Sequence, residues 1–147
     1  MIFYLELILT FEKGGKRVQN DEIEEIINRT VNRTVLKLKM SGLMKDDRKT
    51  AYQKTEELLR NYKYFKDSQD QPYAQKVISK IDTALEEIQS DIYYDIIPMT
   101  YFNDDTRETI ALHYGATGTT ISRNKKRLMD KLAAMIMTDD FIYEVFL

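Results

Sequence analysis

Between Thr117 and Arg127 the chain reads TGTTISRNKKR, a run of eleven residues holding four cations and four hydroxyls. Arginine and lysine neutralise phosphate and release its condensed counterions, so binding built on them falls steeply with salt. Hydroxyl side chains reach phosphate oxygens or a thymine methyl, and an arginine fork fits the two major-groove acceptors of guanine. On a helix, Gly118, Thr119, Thr120, Ser122, Arg123 and Lys126 would stand early enough to face a groove, with Thr117 at the start. Arg123 is the expected base reader, while Lys125 and Arg127 flank that face and suit phosphates better. The plainer alternative is a solvated basic face on a surface hairpin of two helices.

Other chemistry lacks its parts. His113 is the only histidine and there is no cysteine, which excludes disulfides and thiolate sites and leaves no zinc-ligand spacing. His113 falls between Leu112 and Tyr114 at a helix end, where a structural or solvent-facing role is expected. No glycine-rich phosphate loop is present. Asp91, Asp95, Asp104 and Asp105 could be imagined around magnesium, but Pro98 separates the pairs. The expectation is therefore a non-enzyme with no cofactor and no metal.

The basic run needs elements to hold it. Asp105 is the expected cap of a first helix, with Glu108 three residues on as its capping-box partner. Ile110, Ala111 and Tyr114 share an apolar face, and Gly115 ends the helix where φ > 0 is wanted. Ala116 to Gly118 make a turn, Thr117 or Thr119 caps a second helix, and Ile121, Leu128 and Leu132 recur on its inner side. A small residue, a turn glycine and a β-branched apolar residue at this spacing fit a helix-turn-helix.

The remaining chain reads as helices around that unit. One begins at Asn20 or Asp21, carries the repeat NRTV at 28–31 and 32–35, and is expected to break at Ser41-Gly42. The repeat places Arg29, Arg33 and Lys37 on one stripe, read as a solvated face. Another helix runs from Thr50 to Lys66, burying Tyr52, Thr55, Leu58, Leu59, Tyr62 and Phe65. A long amphipathic helix is expected over Ala74 to Ile97, ended by Pro98. The apolar ends, Ile2 to Phe11 and Phe141 to Leu147, have strand-like composition and are expected to pair, within one chain or between two. The first segment lacks a basic n-region and a cleavage site and is too short to span a bilayer, so no membrane is implied.

The fold class expected is mainly α, a helical bundle with a C-terminal helix-turn-helix and short terminal strands. Its parts are an N-terminal helical region over 1–66, a linker over 67–73, the DNA-binding region over 74–137 and an apolar, acidic tail over 138–147. With 43% hydrophobic and 31% charged residues the chain is globular rather than disordered. A net charge of −2 requires a DNA binder to segregate its charge, and the second helix is basic while Asp139, Asp140 and Glu144 make the end acidic.

Three stretches carry a family resemblance: KTEELLRNYKYFK at 54–66, SDIYYDIIPMTYF at 90–102 and ETIALHYGATGTTISRNKKRLMDKL at 108–132. Together they resemble the ArpU-like phage and prophage transcriptional regulators of Gram-positive bacteria, which are related in pattern to RinA-type activators and to the last DNA-binding region of sigma factors. The resemblance spans roughly residues 41–137 and implies cytoplasmic control of phage late genes through promoter binding. Asn124 departs from it, since sigma-like readers place an aliphatic residue there. One reader contacts few base pairs, so double-stranded DNA would be bound either by a homodimer on a palindrome or with RNA polymerase as partner. The alternatives are a small-terminase-like subunit that recognises phage DNA for packaging, and a helical module that binds only proteins.

Overall fold

The computed structural model describes residues 20–147, and all of their regular structure is helical. Eight helices follow in order: α1 (Asn20–Lys45), α2 (Ala51–Arg60), α3 (Tyr62–Asp67), α4 (Pro72–Ile88), α5 (Ile96–Tyr101), α6 (Arg107–Tyr114), α7 (Gly118–Ile136) and α8 (Asp139–Phe146). The chain divides into two compact units, the first ending at Leu36 and the second running from Lys37 to Leu147.

Within the second unit α7 is the hub, packing against α2, α4, α5 and α6. Its inner face follows the helical period: Ile121, Leu128, Leu132 and Ile136 are buried together with Met129 and Ala133. Opposite them stand Leu58 and Leu59 of α2 and Val77, Ile81 and Leu85 of α4, all inaccessible or nearly so. Packing of these faces, rather than helix propensity, stabilises short elements such as α3 and α5.

The connections depart from expectation in ways the local chemistry explains. Gly42 does not break α1, which continues to Lys45. A mid-helix glycine costs only about 1 kcal/mol against alanine, and Met40 and Met44 on either side are buried. The helix expected over Thr50 to Lys66 is interrupted at Asn61, whose side chain donates to the Glu57 carbonyl at 2.7 Å. The stretch 67–73 is not a linker between domains: Ser68 is buried, Gln71 N–H donates to the Ser68 carbonyl at 2.9 Å, and α3 packs on α4 inside one unit.

The long helix expected to reach Ile97 stops at Ile88. Asp91 makes the turn that follows, its carboxylate accepting the Tyr93 N–H at 2.9 Å. Ile92, which falls within that expected helix, is exposed. Pro98 does not end a helix but stands in the first turn of α5, where backbone N–H groups have no intrahelical partner to lose.

The expected pairing of the two ends as strands fails at its C-terminal member, because Asp139–Phe146 is the helix α8. Thr138 caps it by accepting the Phe141 N–H. Phe141, Val145 and Phe146 then share the buried face against α4, with Lys76 and Glu144 2.6 Å apart across the contact. Ile2 to Phe11 lies outside the described residues.

Candidate nucleic-acid interface

Helices α6 and α7 are joined by Gly115, Ala116 and Thr117. Thr106, and not Asp105, caps α6, accepting the Thr109 N–H at 3.2 Å. Glu108 therefore stands inside the first turn, where a carboxylate favours the helix dipole, rather than in a capping box. Gly115 closes α6 at φ 57, ψ 36, a left-handed conformation that costs an L side chain about 1–2 kcal/mol. Thr117 caps α7 and accepts the Thr120 N–H at 3.3 Å. Ile96, Ile110 and Ile121 meet beneath the turn, with Ala111, Tyr114 and Ala116 against them, so α5 supplies the third wall of this small core.

The basic run then sorts itself by helical face. Thr119, Ser122, Arg123 and Lys126 are exposed and fall on one side of α7. Arg123 has no ion-pair or hydrogen-bond partner among the described residues. Lys126 pairs with Asp130 one turn on, at 2.7 Å, and this raises its pKa. Gly118 and Thr120 are half-buried at the start of the helix.

Two of the expected phosphate contacts point elsewhere. Arg127 forms a two-pronged bond with Asp91, at 2.7 and 3.0 Å, and also reaches Asn124 Oδ1 at 3.3 Å. The Arg127 fork, helped by the Tyr93 N–H, holds the Asp91 carboxyl down to about 2. Arg127 thus ties α7 to the turn before α5. Lys125 lies on the inward flank, 3.9 Å from Glu56 and 5.5 Å over the Tyr101 ring. Glu56 accepts from Tyr101 Oη at 2.8 Å and from Arg60 at 3.3 Å, and burial raises the Tyr101 hydroxyl pKa so that it stays a donor. Asn124 meets its polar needs locally, donating to the Thr120 carbonyl at 3.0 Å.

Arg107 is the residue that the pattern did not single out. It projects from α6 across the start of α7, where a Cβ on Gly118 would lie 3.0 Å from its Nε, and its Nη1 is 3.4 Å from Ser122 Oγ. Gly118 therefore leaves room for the Arg107 side chain to lie close, and does not form the turn. No sequence period links an arginine to a glycine eleven residues on, so only the fold brings it to this surface. His113 is half-exposed, 3.4 Å from Asp95.

Among the described residues no group of three acidic or histidine side chains could hold a metal ion, and no helix is long and apolar enough to cross a membrane. No protein-family model, curated protein or solved structure matches the chain.

Proposed function

We propose that this chain is a sequence-specific DNA-binding transcription regulator in which α6 and α7 act as a helix-turn-helix. The observation that carries the reading is the exposed stripe Thr119, Ser122, Arg123 and Lys126 on the first half of α7, set on a buried opposite face and a doubly capped turn. Folding alone does not need cations and hydroxyls on that side, whereas a helix lying in a major groove does. Asp130 closes the stripe one turn after Lys126, and its charge would repel phosphate, so contact is confined to the earlier turns.

Roles follow from geometry. Arg123, central and without a partner among the described residues, reads a base edge, guanine being the best match for its fork. Thr119 and Ser122 flank it and reach a thymine methyl or a phosphate. Arg107 and Lys126 stand at the margins and neutralise phosphates. On the resemblance to ArpU-like regulators, this chemistry would act at promoters of phage or mobile-element genes in the cytoplasm, with either a second copy of the chain or RNA polymerase as its partner.

The test is capture of bound fragments from the source genome, followed by a mobility shift over a range of salt. Three phosphate or base contacts by Arg107, Arg123 and Lys126 predict a log–log salt slope of roughly −3 for each reader. Recovery of promoter regions supports regulation. Recovery of a packaging site favours the terminase-like alternative, and salt-independent or absent binding removes the DNA reading.

A further inference from the structure

Helix α6 carries one large apolar side chain that its own packing does not use. Ile110, Ala111 and Tyr114 serve the small core under the turn, while Leu112 is 84% exposed, more than any other large apolar residue among the described ones. A lone exposed leucine is ordinary. This one borders a groove of about 400 Å3 between α6 and the start of α7, lined also by Ala111 and Ala116. Two small side chains beside a large open one leave room for an apolar anchor from another molecule.

The groove's position and charge narrow the choice of occupant. Arg107 and Gly118 line it and also border the proposed reading face, so whatever sits here sits beside DNA. Arg107 is turned across Gly118 towards Ser122, whereas Glu108, 4.0 Å from Arg107 Nε, is 77% exposed and lines the groove. Asp104, just ahead of the helix, is exposed as well. A carboxylate there repels phosphate and attracts cations, which suits the groove to a basic partner rather than to the DNA itself. A protein that holds the neighbouring stretch of DNA is basic where it faces phosphate, and so presents the charge that Glu108 complements. A two-fold axis through the groove would instead bring the Glu108 carboxylates of two copies of this chain to one small patch.

We propose that this groove is where RNA polymerase docks at the promoter. A basic segment of the polymerase, on the DNA next to α7, sets an apolar side chain against Leu112 and a cation beside Glu108. The inference rests on the reading of α7 as a DNA reader, and it selects polymerase over a second copy of the chain as the protein at this face. The surface is small, so the contact couples two proteins already held on one DNA and does not form a stable complex in free solution.

The test uses the full chain, a captured promoter fragment and the RNA polymerase holoenzyme of the source organism. Mobility shifts measure first the chain on DNA alone, then the polymerase with and without the chain. The parent should bind the fragment and raise polymerase occupancy. Leu112→Gln and Glu108→Gln, with folding confirmed by circular dichroism, should bind the fragment as the parent does and each lower that gain, Leu112→Gln by about fivefold or more. Leu112→Met should keep it. Unchanged recruitment in both glutamine variants, or no recruitment by a parent that binds the fragment, overturns the proposal. Weakened DNA binding by those variants would place the groove in the DNA interface and overturn it too. A parent that binds no DNA removes the reading of α7 together with this inference, and the arm without polymerase shows which has failed. Leu112→Cys adds a clean probe, because the chain has no cysteine of its own. A maleimide should label it rapidly in the free chain and on DNA alone, and slowly once polymerase joins. Slow labelling of the free chain means that another part of the chain, or a second copy, already covers the groove, and overturns the proposal.

Discussion

Replacing Arg127 by alanine should destabilise the fold and change DNA affinity little, although Arg127 belongs to the basic run. Its guanidinium makes two charge-assisted bonds to Asp91 and a weaker one to Asn124. Asp91 is mostly covered while Arg127 is 40% exposed, so solvent screens part of the interaction. Two such bonds, discounted for that exposure, are worth roughly 1–2 kcal/mol. For a chain of this size that lowers Tm by roughly 2–8 °C. The effect has a definite pH signature. The folded Asp91 carboxyl titrates at about 2, below its ordinary 3.8. Its contribution is therefore fully present above the ordinary value and is lost as pH falls through about 2. Urea melts of the parent and Arg127→Ala should differ in midpoint at pH 7 and converge towards pH 2. Equal stability at pH 7, together with a loss of DNA affinity as large as that of Arg123→Ala, would refute the assignment and return Arg127 to the DNA face.

Other consequences test the scaffold beneath the same surface. Gly115→Ala should cost about 1 kcal/mol in chemical melts through its positive φ alone, since nothing within 4 Å crowds the new methyl; a neutral result would mean the turn can relax. Tyr101→Phe removes the hydroxyl from Glu56 and should cost about 1 kcal/mol, whereas Glu56→Ala, which also releases Lys125 and Arg60, should cost more; the reverse order in urea midpoints would show that this cluster is not organised by Glu56. Gly118→Ala should displace Arg107 and weaken DNA binding with little change in Tm, because the side chain it meets is exposed and can swing aside; unchanged affinity would remove Arg107 from the interface.

The parts of this fold that were legible in the chain are those written by one residue acting locally. Gly115 and Thr117 mark their own turn, and Ile110, Ile121, Leu128 and Leu132 mark their own faces, because left-handed φ, capping and helical period need no distant partner. Sequence and structure part where two local signals compete. Asp105 and Thr106 can both cap, and the threonine does. Pro98 can end or begin a helix, and Asp91 had already turned the chain, so it begins one. Phe141 to Phe146 has strand-like composition, but the Thr138 cap and the waiting face of α4 make it helical. Least legible were contacts between elements far apart in sequence. That Arg127 meets Asp91, that Lys125 turns towards Glu56 and that Arg107 crosses Gly118 follow only from packing. On those three contacts the proposed interface gives up Lys125 and Arg127 and takes in Arg107.

If the exposed stripe of α7 reads DNA, Arg123 is its sharpest point. Fluorescence anisotropy of Arg123→Ala and the parent, on a captured fragment and on its single-base variants, tests it directly. Arg123→Ala should lose roughly 1–3 kcal/mol on the parent site, relax discrimination at one base position and leave Tm unchanged. Equal binding by the two proteins, or an equal loss on every sequence, would remove the base-reading role, and failure of the parent chain to bind any fragment at low salt would remove DNA binding by α7 altogether.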